Sequence, residues 1–263
     1  MATLLLKKSY LINSLKEVPF KDLWGKHGIF TTMRIIGKPV KIIFFRNHLS
    51  NLINSTKIYK IYKKDIKSKL NKILEINLNT KKKYNHLLRL AINKNLISIS
   101  IRDRITPSKN FKLQLLNYKR DNPKYKNLKY KFILKKLKNV NLKSTDLALV
   151  SDKILHETGT ANLIFVKNNE IVSPKKNIYK GITLKFIEKK FTINYKDIYL
   201  KNLTQYDEII LVGSGKGVVS VNKVQGINWR RKSLKYYKIL NDYYKKAVTK
   251  CPRYYSWSIN LTI

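Results

Sequence analysis

Residues 156–186 read HETGTANLIFVKNNEIVSPKKNIYKGITLKF, the least lysine-rich and most patterned stretch of a 263-residue chain. Leu163, Ile164, Phe165 and Val166 make an apolar run rich in β-branched and aromatic side chains. Asn168-Asn169 follows as a turn signal, and residues 171–173 give a second extended piece. That order predicts a buried hairpin. Glu157 stands immediately before Thr158, Gly159 and Thr160, so an acid is held where a strand runs into a small-residue turn. Beyond the hairpin, Gly181-Ile182-Thr183 opens a helical pattern with Phe186 and Ile187 on one face. A helix that starts on Gly and Thr offers free N–H groups and the positive end of its dipole, which suits a phosphate. An acid beside a pocket for an anion makes a cofactor seat.

Upstream, residues 28–36 (GIFTTMRII) alternate with a period of two, and Gly37-Lys38-Pro39 reads as a hairpin turn into a strand over 40–45. From Asn47, a candidate N-cap, His48, Leu49, Leu52, Ile53 and Thr56 recur at helical spacing. A second helix is expected over 84–93, after a Lys-rich loop, and residues 96–102 alternate as a strand. Pro107-Ser108 and Asp121-Asn122-Pro123 break the pattern and predict a boundary between 105 and 123. Further on, strands are expected at 147–150, 161–166 and 209–212, with a helix over 183–190. A last helix over 233–250 carries Leu234, Tyr237, Leu240, Tyr244 and Val248 on one stripe. Strands and helices alternating with antiparallel hairpins predict a two-domain α+β protein. The expected division is an amino-terminal extension 1–18, an α/β domain 19–115 and a carboxy-terminal domain 116–263.

Lys and Arg number 56 against 15 Asp and Glu, a formal charge of +41. Such a balance predicts a partner of opposite charge, nucleic acid above all. Yet only nine of the 56 are Arg, and Lys is spread over almost every segment together with Asn, Ile and Tyr. A coding bias toward A and T gives that pattern without a selected partner, so a basic RNA-binding protein stands as the rival reading. Cys251, the single cysteine, excludes an internal disulfide and a Cys-based metal cluster and points to a reducing compartment. His27, His48, His86 and His156 are too scattered for a metal site. No apolar run approaches the roughly 18 residues that span a bilayer. A cytoplasmic location is expected, with the acid-free first 16 residues leaving an organelle open.

The blocks HETGTANLIFVKNNEIVSP, KGIT and YDEIILVGSGKGVVSV, with GIFTTMRIIGKPV and HLSNL before them, resemble in order and spacing the class IV, or fold-type IV, pyridoxal-phosphate enzymes. That family includes branched-chain aminotransferases, D-amino-acid aminotransferases and aminodeoxychorismate lyases. The resemblance covers residues 24–248. It implies a D-amino-acid aminotransferase-like fold, with a smaller N-terminal α/β domain and a larger, β-barrel-like domain that binds pyridoxal 5′-phosphate. It also implies a homodimer acting on a small molecule.

The family joins its cofactor to a Lys that precedes the conserved-pattern Glu, often in an Asn-Pro-x-x-Lys context. By that likeness Lys126, after Asn122-Pro123, is the first candidate and Lys124 the second. The resemblance also implies that Glu157 meets the pyridine nitrogen, while Gly181, Ile182 and Thr183, then Gly213, Ser214 and Gly215, contact the phosphate. Two positions depart from the pattern. HLSNL has Asn51 where the family has Arg, and Leu184 follows GIT where the family has another Arg. A guanidinium binds phosphate through two N–H groups, so its loss weakens the anion site unless Arg46 or a nearby Lys replaces it. A catalytically degenerate homologue is the corresponding alternative. Phe30-Thr31-Thr32 leans toward the lyases, with Thr31 and Thr32 as hydrogen-bonding groups for substrate and Arg34 for a carboxylate. The implied activity is a 4-amino-4-deoxychorismate lyase releasing 4-aminobenzoate and pyruvate in folate biosynthesis, with a branched-chain or D-amino-acid aminotransferase as the alternative.

Overall fold

The computed structural model describes residues 4–254. They divide into two compact units, one made of residues 4–104, 126–129 and 250–254, the other of residues 105–125 and 130–249.

The first unit is a six-stranded antiparallel sheet with two helices. Its elements are β1 (Leu4–Leu11), β2 (Glu17–Val18), β3 (Ile29–Gly37), β4 (Lys41–Ile42), α1 (Phe45–Ile58), α2 (Ile66–Asn77), β5 (Tyr84–Ile92) and β6 (Leu96–Asp103), and the strand order is β2-β1-β6-β5-β3-β4. The amino-terminal stretch expected as an extension thus supplies β1, which pairs with β6 along its length. Strand β5 overturns the helix expected over 84–93. Tyr84, Leu87, Leu88 and Ala91 do recur at helical spacing, but β5 lies between β3 and β6 and pairs with both. Its two faces both carry buried apolar residues, Leu88, Leu90 and Ile92 on one and Leu87 and Ala91 on the other, and periodicity alone cannot tell such a strand from a helix. The strand expected over 40–45 shrinks to two residues because helix α1 already starts at Phe45, capped by Phe44 in a left-handed conformation rather than by Asn47. Helix α2 arises within the segment read as a Lys-rich loop. It buries Ile66, Leu70, Ile73 and Leu74, a 3.6-period stripe, against the same core as Met33, Ile35, Leu88 and Leu90.

The second unit contains β7 (Phe111–Asn117), α3 (Lys131–Leu137), β8 (Thr145–Ser151), β9 (Ile154–Thr158), β10 (Asn162–Lys167), β11 (Glu170–Pro174), α4 (Ile182–Glu188), β12 (Asn194–Lys196), β13 (Ile198–Tyr199), β14 (Glu208–Gly213), β15 (Gly217–Val224), β16 (Trp229–Arg230) and α5 (Lys235–Lys250). Its ten strands run in the order β12-β11-β10-β14-β15-β7-β8-β9-β13, with β16 added on β15, and the sheet curls into a nearly closed barrel. Strand β7 falls where a domain boundary was expected and pairs in parallel with both β15 and β8. The predicted hairpin is β10–β11, in register Phe165↔Val172 and Val166↔Ile171. Asn168 and Asn169 both take positive φ in its turn, 49° and 63°, which asparagine tolerates better than most residues. Helix α5 buries Leu240 and Tyr244, two of the five residues on the expected stripe. Its first turn is held by the fully buried Glu208, whose Oε1 accepts the Tyr236 N–H at 2.8 Å and whose Oε2 accepts the Tyr237 N–H at 2.8 Å. Among the described residues no helix is long and apolar enough to cross a membrane.

Leu88 is fully buried at the centre of β5, whereas Asn85 on the same strand is exposed. Leu88→Ala should destabilise the protein by about 2–5 kcal/mol in urea unfolding, while Asn85→Ala should stay near the wild-type value. Equal effects at the two positions would contradict the burial of Leu88 in the core of the first unit.

Candidate functional site

Strand β9 carries Glu157 into the interior of the second unit, where the side chain is 4% exposed. A carboxylate in that position needs donors on both oxygens. Arg120, itself 5% exposed, donates from Nη1 to Glu157 Oε1 at 2.5 Å, and the Tyr179 N–H donates to Oε2 at 3.0 Å. The other arm of the guanidinium, Nη2, donates to the Tyr125 carbonyl at 2.9 Å, and the group lies 5.0 Å from the Tyr130 ring centre. Tyr130 in turn donates its hydroxyl to the Gly159 carbonyl at 3.0 Å. Burial opposes the Arg120 cation, but Tyr130 and Glu157 outweigh it and hold Arg120 above the ordinary arginine range. Burial also pushes the Tyr130 phenol well above its usual range, against the pull of the Arg120 charge. The sequence reading did not single out Arg120. Its signal was there in outline, as one of nine arginines and immediately before Asp121-Asn122-Pro123.

Asn162, the first residue of β10, fixes the chain between Tyr179 and α4. Its Nδ2 donates to the Tyr179 carbonyl at 2.6 Å, and its Oδ1 accepts the Gly181 N–H at 3.0 Å. Gly181 leaves no room for a side chain, since a Cβ there would stand 2.7 Å from Asn162 Oδ1. Next in sequence, Ile182 and Thr183 are buried, and the Thr183 hydroxyl is enclosed with no hydrogen-bond partner. Leu184 is fully buried in the core face of α4, so the position where the family pattern has Arg points inward in this chain.

Ser214 and Gly215 occupy the turn between β14 and β15 and are half-buried. At the start of the turn, a Cβ on Gly213 would meet the Thr160 carbonyl at 3.3 Å, so the turn lies close against the segment that follows Glu157. Glu157 on β9, residues 181–183 at the start of α4 and the pair Ser214–Gly215 in the β14–β15 turn all belong to one unit.

The remaining candidates belong to the first unit. Residues 126–128 run beside the start of β3, with the Phe30 N–H donating to the Lys126 carbonyl at 2.9 Å and the Leu128 N–H to Gly28 at 2.9 Å. This pairing sets the half-buried Lys126 with its Nζ 5.0 Å from the centre of the Phe30 ring. Thr31 is buried, and its hydroxyl shares a 2.8 Å hydrogen bond with Nδ1 of His48 on α1. Burial, with the Lys126 charge adding to it, pushes the His48 imidazole down to about 3. Thr32 and Arg34 are half-buried on β3, and Arg34 Nε is enclosed without a partner. Asn51 is half-buried on α1. Lys124, in contrast, is exposed and belongs to the second unit, where it lines a recess of about 500 Å³ with Lys119, His156, Lys175 and Lys176.

A family model described as Amino-transferase class IV matches residues 28–224. A search of curated proteins gives no match. Among solved structures, a branched-chain aminotransferase from Thermoproteus uzoniensis with norvaline is 14% identical, over 92% of this chain and 95% of that one, at a TM-score of 0.73. A hypothetical aminotransferase from Mycobacterium tuberculosis in its PLP-bound form is 14% identical over 92% and 99%, at 0.70. A protein described provisionally as a 4-amino-4-deoxychorismate lyase from Legionella pneumophila is 19% identical over 84% and 91%, at 0.67. At these identities the likeness is one of fold.

Two outcomes follow from the buried charges. Arg120→Met removes the guanidinium that donates to Glu157 Oε1 and should cost about 3–5 kcal/mol at pH 7. Arg120→Lys, which keeps a cation but loses the two-armed donor, should recover part of the deficit. Urea denaturation of both variants checks it, and an Arg120→Met stability equal to wild type would argue against a structural Arg120–Glu157 pair. For His48, the folded-state value of about 3 lies below the usual 6.5, so its stabilising contribution is complete above 6.5 and is lost as pH falls toward 3. By pH 4 that loss should reach roughly 3 kcal/mol, and His48→Gln should remove it from the acid limb of the melting curve.

Proposed function

The chain belongs to the class IV amino-transferase family, and we propose that within it the protein is a pyridoxal-phosphate-dependent 4-amino-4-deoxychorismate lyase that releases 4-aminobenzoate and pyruvate in folate biosynthesis. The observation that carries the cofactor reading is the buried Glu157 carboxylate, with both oxygens fixed by Arg120 and the Tyr179 N–H, on the unit that also encloses the unpartnered Thr183 hydroxyl. Those residues fit the group. A carboxylate held ionised by a buried guanidinium suits a protonated ring nitrogen, and an enclosed hydroxyl with no protein partner suits a phosphate oxygen.

In this reading Lys126 would hold the resting cofactor covalently, Glu157 would hold its ring nitrogen, and Gly181, Ile182, Thr183, Ser214 and Gly215 would hold its phosphate. When bound, pyridoxal phosphate supplies an electron sink for charge that develops on the substrate. As a free amine, Lys126 would take a ring proton from the substrate while the enolpyruvyl C–O bond breaks and the ring becomes aromatic, and the departing enolpyruvate would take up a proton to become pyruvate. Its position over the Phe30 ring keeps the amine on an apolar neighbour, where it is positioned rather than free to roam in water. Arg34 binds a substrate carboxylate, a role supported by its enclosed and unpartnered Nε. Thr31 is held in place by His48, and Thr32 offers a hydroxyl from the same strand. The lyase assignment rests on Phe30-Thr31-Thr32, and the enzyme acts as a homodimer on a small-molecule substrate.

The test is an absorbance spectrum of the purified chain with added pyridoxal phosphate, compared among wild type, Lys126→Ala and Lys124→Ala. The visible band of bound cofactor should appear in wild type and in Lys124→Ala and vanish in Lys126→Ala, and pyruvate should be released from 4-amino-4-deoxychorismate without a keto acid. Turnover that requires a keto-acid acceptor would assign an aminotransferase instead. No band at saturating cofactor would sink the enzyme reading in favour of a degenerate homologue, or of an RNA-binding protein if nucleic-acid affinity proves steeply salt-dependent.

A further inference from the structure

We propose that Asp146 and Lys216 form a buried positioning pair that locks the 214–216 turn to the segment following Glu157, and so holds Ser214 and Gly215 in register with Glu157. The inference rests on the cofactor reading above for its consequence in binding, and on the geometry for the lock itself.

Asp146, on β8, is fully buried, and its carboxylate gathers three segments of the second unit. Oδ1 accepts the Leu147 N–H at 2.8 Å, which orients the group on its own strand. Oδ2 accepts the Thr158 hydroxyl at 2.8 Å and the Thr160 hydroxyl at 2.5 Å, so both threonines that flank Gly159 are tied to one oxygen. The Lys216 ammonium stands 3.7 Å from that same oxygen and 4.6 Å from the centre of the Phe111 ring, with its side chain nine-tenths buried. The counter-charge and the ring face both favour a cation in such a place.

The turn needs an anchor. Lys216 lies between Gly215 and Gly217, and Gly217 sits at φ +78° with the Tyr244 ring 3.1 Å from where a Cβ would be. Two glycines give the backbone many alternative conformations. Ser214 and Gly215 are only half-buried, so the Lys216 side chain is the member of the turn that reaches inside. Its partner Asp146 is bonded to Thr158, the residue next to Glu157 in sequence. The chain of contacts thus runs from the turn through two charges to the backbone that carries Glu157. A supporting shell of this kind holds a site to the fraction of an ångström that binding requires.

Pyridoxal-phosphate affinity, thermal melting and amide hydrogen exchange should be measured on the full chain for wild type, Lys216→Met, Lys216→Arg, Asp146→Asn and the double variant Lys216→Met/Asp146→Asn. Lys216→Met and Asp146→Asn should each weaken affinity roughly tenfold, the double variant by less than the product of the two, and Lys216→Arg by no more than about threefold. Exchange at residues 158–161 should quicken in Lys216→Met, although the substitution lies in a different turn. Wild-type affinity in Lys216→Met together with unchanged exchange at 158–161 would overturn the proposal, as would an equal loss in Lys216→Arg. If Asp146→Asn fails to fold, the two Lys216 variants carry the test. Failure of the wild type to bind pyridoxal phosphate would instead overturn the proposed function, and the exchange data alone would then decide whether the lock exists.

Discussion

A carboxylate withdrawn from water is tolerated only when its oxygens are met by donors, and that constraint organises the second unit. The chain has 15 acidic residues against 56 basic ones, yet Asp146, Glu157 and Glu208 are all 4% exposed or less. None of them is left to the general excess of positive charge. Glu157 takes Arg120 and a backbone N–H, Asp146 takes two threonine hydroxyls and a lysine, and Glu208 takes the opening N–H groups of α5. Each buried acid therefore joins segments that are far apart in sequence. Replacing any donor exposes the full cost of an unsatisfied charge, so these joints are more demanding than the surrounding apolar packing.

The same constraint explains why the candidate site sits where it does. Glu157, Asn162 and Asp146 lie on β9, β10 and β8, and through them the segments at 158–160, 179–181 and 214–216 are held by side-chain hydrogen bonds and one ion pair rather than by loop stiffness. Against that order, the Thr183 hydroxyl and Arg34 Nε are enclosed but unanswered by protein. Such atoms are uncommon, and these two stand at positions that the cofactor reading assigns to ligand contact, whereas Asn71, Arg89, Ser108 and Asp197 carry others away from it. The two positions that depart from the family pattern differ in kind. Leu184 is packed into the core, where an arginine would be buried, whereas Asn51 is half-buried on α1.

The formal charge of +41 has no matching feature at these joints. Among the ion pairs of the second unit, Lys176–Asp197 and Lys196–Glu170 have lysines 62% and 54% exposed, where such pairs add little to stability. The recess lined by Lys119, Lys124, Lys175 and Lys176 holds lysines in the proportion that a lysine-rich surface would. The buried basic residues Arg120 and Lys216 are the ones with structural duties.

Local patterns in the sequence were sufficient for whatever depends on neighbours in the chain. The Asn168-Asn169 hairpin, the alternating strand at 29–37, the α4 start at Gly181 and the stripe on α5 all rest on period, turn chemistry or backbone freedom, each carried by a few consecutive residues. The block around Glu157 was legible for the same reason. What the sequence could not reveal depends on partners far along the chain. Tyr84–Ile92 has a helical spacing of apolar residues and becomes a strand because β3 and β6 cover both its edges. The units divide at 104/105, at the edge of the 105–123 stretch read as a boundary, and Phe111–Asn117 within that stretch is a parallel strand because β15 and β8 flank it. Arg120 lies 37 residues from the acid it pairs with, and Lys216 lies 70 residues from Asp146. A pairing over such a distance leaves no periodic trace, so only the folded sheet decides which of many lysines and arginines meets a buried carboxylate.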